Sequence, residues 1–452
     1  MAIVEVLVGI TLVTSLLVPL FFQNRQFVNL LSWMGMLAFA AASAYLLLTG
    51  GGTFFDGLLR HDVFTSLLLL GSSASAALLL FAAGQSAASW KTYPAFHSLL
   101  PLSLFGLFFL AGAESVLVIV ASWLLVSVIS YVIISLPGDR ESRLAAVRYI
   151  YVGIVATLFV ALWITSIAYA TGSDVLAPLN GSSISVMALS FAIAAVGFKL
   201  GLFPLHWWLP SVYGKADGRV VAFVASAAKL GFIALLVRTI ASTFGGSGEA
   251  ALFLAIIAAL TMSYGNLAAL TTGDLQRLLA YSSIAQVGYI LAGLAVVVAF
   301  PDSQLEKLAL AGIALQSIAY ALSKTPLFAM IAEGGRELEG ELKGLLSRDR
   351  VSAISSATLL ASLLGIPPLL GFWGKLYIFF PLASYSLPLL AIALLNSGIS
   401  SAFYIRAFRD MTSASPNPRG PLSESYRLAL LVAAALTVLL GIVAPVAIGL
   451  FL

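Results

Sequence analysis

Apolar runs long enough to cross a bilayer follow one another along nearly the whole chain, separated by polar breaks of only a few residues. A spanning helix needs about 20 apolar residues. The runs predict fourteen such helices, with approximate limits 2–22, 28–49, 63–83, 94–112, 115–136, 148–171, 185–208, 219–243, 250–271, 277–300, 307–332, 352–380, 384–406 and 427–450. Charged residues make up 9% of the 452 positions, against roughly 25% in a soluble domain. That excludes a soluble surface, and disorder needs more polarity still. The sequence reads as an all-α polytopic membrane protein.

Orientation follows from where the basic residues fall, because Lys and Arg collect in cytoplasmic loops. With the N-terminus outside, sixteen of the 23 Lys and Arg residues lie in cytoplasmic connections; Arg60, Lys307 and Arg238 lie at the other side. One missed span would scramble that bias, so it supports both the count and a topology with both termini outside. Glu5 and the lack of a basic n-region argue against a cleaved signal peptide. The longest polar connection, EGGRELEGELKGLLSRDRV at 333–351, alternates acids and bases; it fits a short amphipathic surface helix or a solvated linker equally.

Four lysines remain after that count: Lys199, Lys229, Lys324 and Lys375, inside predicted spans 7, 8, 11 and 12. A centrally placed lysine costs about 2.5–3.5 kcal/mol on insertion scales, so four facing lipid would cost roughly 10–14 kcal/mol. They are expected to face a hydrated or protein-lined interior. Snorkelling to the headgroups is the alternative, stronger for Lys324 and Lys375 than for the other two. No acid lies near mid-membrane to pair with them. An amine, unlike a guanidinium, can give up its proton, which makes a buried lysine a usable relay element; no arginine lies deep in a span.

Spans 7 and 12 also carry helix breakers. Span 7 reads VGFKLGLFPLHWWLP, with Pro204 after Lys199, and span 12 reads LLGIPPLLGFWGKLYIF, with Pro367 and Pro368 before Lys375. Proline frees the carbonyl four residues back, and unwound backbone at membrane depth is tolerated only inside protein or around a cavity. Broken helices five spans apart run in opposite directions, the pattern of an inverted repeat. The expected organisation is helices 1–3 over 1–93, a five-helix repeat over 94–243, its inverted partner over 250–409, and a last helix over 427–452, with loose symmetry because proline and lysine swap order.

Cysteine is absent, which removes disulfides, iron–sulfur ligation and thiol chemistry. The three histidines, His61, His97 and His206, are far apart, and no metal site or cofactor is expected. The formal charge of +4 is scattered through short loops, which is no nucleic-acid footprint.

From about residue 94 to 410 the chain resembles the antiporter-like membrane subunits of respiratory complex I, a family related to subunits of multi-subunit sodium/proton antiporters. GFKLGLFPLHWWLPSVY is similar to the family's span 7, ASAAKLGFIALLVR to its span 8, and GNLAALTTGDLQRLLAYSSIAQVGYIL to its GNL…KRLLAYSSI…GY segment. GIPPLLGFWGKLYIF followed by LLNSGISSAFYIR resembles the N-type subunit in particular. The resemblance implies a proton-translocating subunit in the membrane arm of a complex I-like oxidoreductase, in a prokaryotic cell membrane beside M-, K- and J-type subunits, with the redox chemistry on partner chains. It implies that Lys199 is the central-axis lysine, that Lys229 links two half-channels, that Lys375 is the exit-side residue, and that His206 is the family histidine after the break. A satisfied histidine at a helix end is the other reading of His206.

Departures from the family pattern qualify this. Leu124, in ASWLLVSVISYV, stands where the family carries a span 5 glutamate, and Glu114 lies ten residues earlier, about 15 Å along and 80° around a helix. Gln276 replaces a lysine and Ser211 an aspartate. YALSKTPLF, with Lys324, resembles M- and L-type or antiporter subunits more than N-type. A subunit of a stand-alone sodium/proton antiporter or membrane-bound hydrogenase is therefore the second reading, and a non-conducting spacer of the membrane arm the third.

Overall fold

The computed structural model of the chain describes residues 2–179, 183–334, 342–414, 420–447 and 449. Among them twelve helices are long and apolar enough to cross a membrane, and two shorter apolar helices, Ser185–Leu200 and Arg350–Leu364, belong to spans 7 and 12. All fourteen expected spans are present. Spans 1 to 6 are Ala2–Phe21, Arg25–Leu48, Val63–Ala83, Tyr93–Gly112, Val116–Ser135 and Arg140–Thr171. Span 7 is Ser183–Leu200, followed by a short helix at Leu209–Tyr213. Spans 8 to 10 are Gly218–Phe244, Gly248–Thr271 and Leu275–Ala299. Span 11 is Gln304–Gly334, span 12 is split into Arg350–Leu364 and Leu370–Tyr385, and spans 13 and 14 are Leu387–Thr412 and Glu424–Ala447.

The scarce acids explain several helix starts. Asp62, Asp139, Asp217, Asp274 and Asp349 each accept a backbone N–H in the first turn of a span, satisfying donors that a helix start leaves open. Asp139 starts span 6 at Arg140 rather than at 148, so Arg140, Arg143 and Arg148 ride on the helix itself. Of the 333–351 connection, residues 335–341 lie outside the described residues; Leu345–Arg348 makes one helical turn, with Leu342 and Leu345 buried.

Periodicity gives no warning of a β-hairpin between spans 2 and 3. Strands β1 (Gly52–Phe54) and β2 (Leu59–His61) pair antiparallel. Arg238 of span 8 clips the hairpin down: it donates to the carbonyls of Arg60 at 2.6 Å and Ala111 at 3.0 Å and pairs with Glu114. The Glu114 N–H in turn donates to the Leu58 carbonyl at 3.0 Å.

Spans 8 and 10 form the centre of the bundle, with nearly every residue buried, while spans 1, 6 and 13 lie at the rim and bury only about a third of theirs. The apolar surround of span 8 is what makes Lys229 so conspicuous. Its helix is also irregular: Phe223–Ala227 is a π-turn just before the lysine. Such a turn loosens the backbone ladder, and side-chain hydroxyls from three other elements use it. Tyr213 donates to Val224 O at 3.3 Å, Tyr320 to Ala225 O at 2.5 Å and Ser72 to Ala227 O at 3.0 Å.

Candidate lysine relay

The two helix breaks share one construction. In each, a leucine ends the first half-helix, a left-handed glycine follows, and a proline sits four residues after the leucine. Span 7 has Leu200, Gly201 (φ 83°) and Pro204; span 12 has Leu364, Gly365 (φ 94°) and Pro368. Positive φ is easy only for glycine, and proline has no N–H to return to the leucine carbonyl. Both prolines follow cis peptide bonds.

The freed carbonyls are each taken by a lysine. Lys229 donates to Leu200 O at 3.1 Å, and Lys375 donates to Leu364 O at 2.8 Å and to Ser397 Oγ at 3.2 Å. Lys324 donates to Leu279 O at 2.7 Å and Ser282 Oγ at 2.5 Å. Lys199 donates to the Tyr131 hydroxyl at 3.1 Å. All four amines thus bond inside the protein, and the residues are 3%, 1%, 0% and 4% exposed for Lys199, Lys229, Lys324 and Lys375. Snorkelling is excluded for each of them, including the two for which it was the stronger alternative.

These groups lie along one polar line through the apolar bundle. Lys199 and the carbonyl that receives Lys229 are neighbours in sequence. Lys229 and Lys324 both lie within 6 Å of the Tyr320 ring centre. From Lys324 the line continues on span 10: Ser282, bonded to the Tyr404 hydroxyl at 2.9 Å, then Gln286, bonded by Gln316 at 2.6 Å, then Tyr289, whose ring centre is 4.8 Å from the Lys375 amine. Spacings of three and four residues keep these span 10 side chains on one helix face. Asn266 extends the line, donating to the Tyr289 hydroxyl at 3.2 Å and to Asn396 Oδ1 at 3.1 Å.

Among the described residues no carboxylate lies on this line. The buried acids are Asp349, which caps span 12, and Asp410 in the last turn of span 13. Leu124 is 43% exposed, while its neighbour Trp123 is buried with its ring 5.9 Å from the Lys199 amine. Glu114 is engaged with Arg238 at a helix end, far from the line. Gln276 reaches the carbonyls of Tyr213 and, at 2.7 Å, Ala216, holding the turn before span 8. Ser211 turns back on Trp208 O at 2.6 Å.

His206 is buried between Phe203 and Tyr264, with ring centres 5.4 and 3.8 Å away. Its Nδ1 has no protein partner. The sequence reasoning did not single out Tyr131, Tyr320, Ser282, Gln286, Gln316 or Ser397. One signal was available for the break itself: LGLFP and LGIPP repeat the same leucine–glycine–proline spacing.

A family described as NADH:quinone oxidoreductase/Mrp antiporter, TM, matches residues 113–400, which hold all four lysines and both breaks. The chain belongs to this family. Family relatives include the NADH-quinone oxidoreductase subunit N of Desulfitobacterium hafniense, 28% identical over 92% of this chain and 88% of that one, and subunit N 2 of Solidesulfovibrio magneticus, 33% identical over 75% of each. A chain of respiratory complex I from Thermus thermophilus superposes with TM-score 0.85 at 28% identity, covering 98% of both chains. A chain of the Mrp complex from Dietzia shares the fold, with TM-score 0.88 at 18% identity over 99% of this chain and 95% of that one. The family fold is thus the multi-pass helical membrane fold that the apolar runs predict.

Proposed function

We propose that the chain is an N-type subunit in the membrane arm of a complex I-like NAD(P)H:quinone oxidoreductase, where it translocates protons along the lysine line. The observation that carries this reading is the succession of Lys199, Lys229, Lys324 and Lys375 through an apolar bundle, each amine bonded to a neutral carbonyl or hydroxyl oxygen. Lys199 is the central-axis lysine, Lys229 joins it to Lys324 across the middle, and Lys375 stands at the exit side. Buried polar atoms without a protein partner, among them Gln316 Oε1, Ser323 Oγ, Asn266 Oδ1 and His206 Nδ1, support a hydrated path, since such groups ordinarily find water when protein offers nothing. His206 lies beside the span 7 break as a further polar lining group.

Redox chemistry belongs to partner chains, and neighbouring M-, K- and J-type subunits supply the charge changes that alternate uptake and release. Residues 94–243 and 250–409 act as two inverted half-channels. The basic residues at one set of helix ends support both termini outside, and the bacterial relatives support a prokaryotic cell membrane. Protons are favoured over sodium because no carboxylate stands on the described line to offset a bound metal cation, whereas each lysine amine can take up and release a proton. The test is Lys199→Ala in the assembled complex reconstituted in sealed vesicles. Proton translocation per quinone reduced is expected to fall while assembly persists; normal translocation would refute the relay.

The YALSKTPLF segment favours a second reading, a subunit of a multi-subunit sodium/proton antiporter or membrane-bound hydrogenase. Purifying the native complex decides between them: quinone-reducing and iron–sulfur subunits support the first, their absence the second.

A further inference from the structure

Lys199 differs from the other three lysines in what surrounds it. Lys229, Lys324 and Lys375 each donate to a backbone carbonyl. The Lys199 amine instead lies inside a set of rings from three spans: Tyr131 at 4.4 Å, Tyr149 at 4.9 Å, Phe232 at 5.5 Å and Trp123 at 5.9 Å to the ring centres. Resting on the relay reading above, we propose that these four rings form a cation cage that stabilises the ammonium form of Lys199 in place of a carboxylate, and that Tyr131 and Tyr149 are positioning residues of the relay.

Ring faces carry negative charge density and attract an ammonium group, most strongly where water is excluded. Here the rings are fixed before any charge arrives. Tyr131 meets Tyr149 edge-on at 4.9 Å, Tyr149 stacks on Trp208 at 4.9 Å and 16°, and Trp208 Nε1 donates to Phe198 O at 2.8 Å, beside Lys199 itself. Trp123 meets Phe232 edge-on at 5.2 Å and donates to Thr157 Oγ1 at 3.2 Å.

A glycine makes room for the cage. A Cβ on Gly153 of span 6 would fall on the Tyr131 hydroxyl, the group that accepts from Lys199. Tyr131 and Tyr149 are the ionisable groups in contact with the amine among the described residues; Trp123 and Phe232 complete the cage from spans 5 and 8. The attraction comes from the ring faces rather than from a carboxylate, so the cage favours the charged amine of Lys199 without a neighbouring Asp or Glu.

The test is the pH profile of proton translocation by the intact complex in vesicles. Lys199→Ala comes first: translocation that survives it removes the relay reading itself. Given loss with Lys199→Ala, Tyr149→Leu is expected to move the alkaline midpoint to lower pH by about half a unit to one and a half units, the equivalent of one lost ring. Tyr149→Phe, which returns the ring, recovers most of that shift. A multiply fluorinated phenylalanine at position 232 keeps the shape and weakens the negative face, so it moves the midpoint the same way even if Tyr149→Leu fails to assemble. An unmoved midpoint with the fluorinated ring, in a complex that Lys199→Ala silences, overturns the cage and leaves the relay standing.

Discussion

Replacing Lys229 separates the three things its amine does: fill space, occupy a carbonyl and carry a proton. Lys229→Met keeps an unbranched side chain of similar length and removes the donor. The Leu200 carbonyl, already released by Pro204, then loses the Lys229 bond at 3.1 Å. A buried acceptor left open costs about 1–3 kcal/mol, offset in part because no amine is buried any longer. Lys229→Arg restores donors but adds bulk on the fully buried span 8, at a cost of about 1–3 kcal/mol. Lys229→Arg should therefore unfold at the lower temperature, since its charge stays buried with no carboxylate on the described line. In proton handling the two variants fail for different reasons, since methionine carries no proton and arginine cannot release one. Both are expected to lower translocation at least about tenfold, a barrier increase of roughly 1.4 kcal/mol. The assay is proton uptake into vesicles by the reconstituted complex, with quinone reduction measured alongside. Wild-type pumping by Lys229→Arg would show that a fixed charge suffices there, and the exchange argument would be wrong.

Lys375→Ala removes donors to Leu364 O and Ser397 Oγ; it should reduce proton release while the complex still assembles, and lost assembly with normal pumping per assembled complex would mark the residue as structural instead. His61, outside the spans, is buried against Phe108, and burial first, then Arg238, lowers its pKa from 6.5 to about 3. The unfolded chain takes up that proton below 6.5 and the folded chain resists it to about 3. The associated stability is present above 6.5 and lost as pH falls toward 3, at up to about 1.4 kcal/mol per pH unit. His61→Phe should flatten the dependence of thermal unfolding on pH across that window; an unchanged slope would show that the hairpin does not hold His61 neutral.

How much was readable follows from which forces are local. Fourteen apolar runs announce fourteen spans because bilayer thickness sets their length. The four lysines emerge by elimination, since every other basic residue has a surface to reach. Helix ends were less legible: Asp139 moves the start of span 6 back to Arg140, a capping signal that the apolar run alone does not contain. The hairpin at 52–61 has strands of three residues, too short for any period to register. Nor does a π-turn announce itself in FVASA, because its carbonyls are satisfied by Tyr213, Tyr320 and Ser72 from distant elements. The amines' partners were illegible for the same reason: Leu200 O and Leu364 O become acceptors only once the breaks and the neighbouring spans are in place.

A line of ammonium groups without acids still needs negative charge, and the broken helices offer it. Each helix C-terminus carries the equivalent of roughly −0.5 charge, which favours a cation by about 0.3–2 kcal/mol. Lys199 lies in the last turn of Ser183–Leu200, Lys229 bonds the carbonyl that ends it, and Lys375 bonds the carbonyl that ends Arg350–Leu364. A partial charge of this kind is fixed and moderate. A full carboxylate at contact would hold the ammonium more firmly in low dielectric, and a lysine held in that way passes its proton on less readily. Ser397, 3.2 Å from the Lys375 amine, is the place to test the difference. Ser397→Asp should form an ion pair with Lys375, leave the complex assembled and lower proton translocation, while Ser397→Ala changes it much less. If the aspartate variant pumps as well as the wild type, moderate fixed charge is not what keeps these lysines exchangeable.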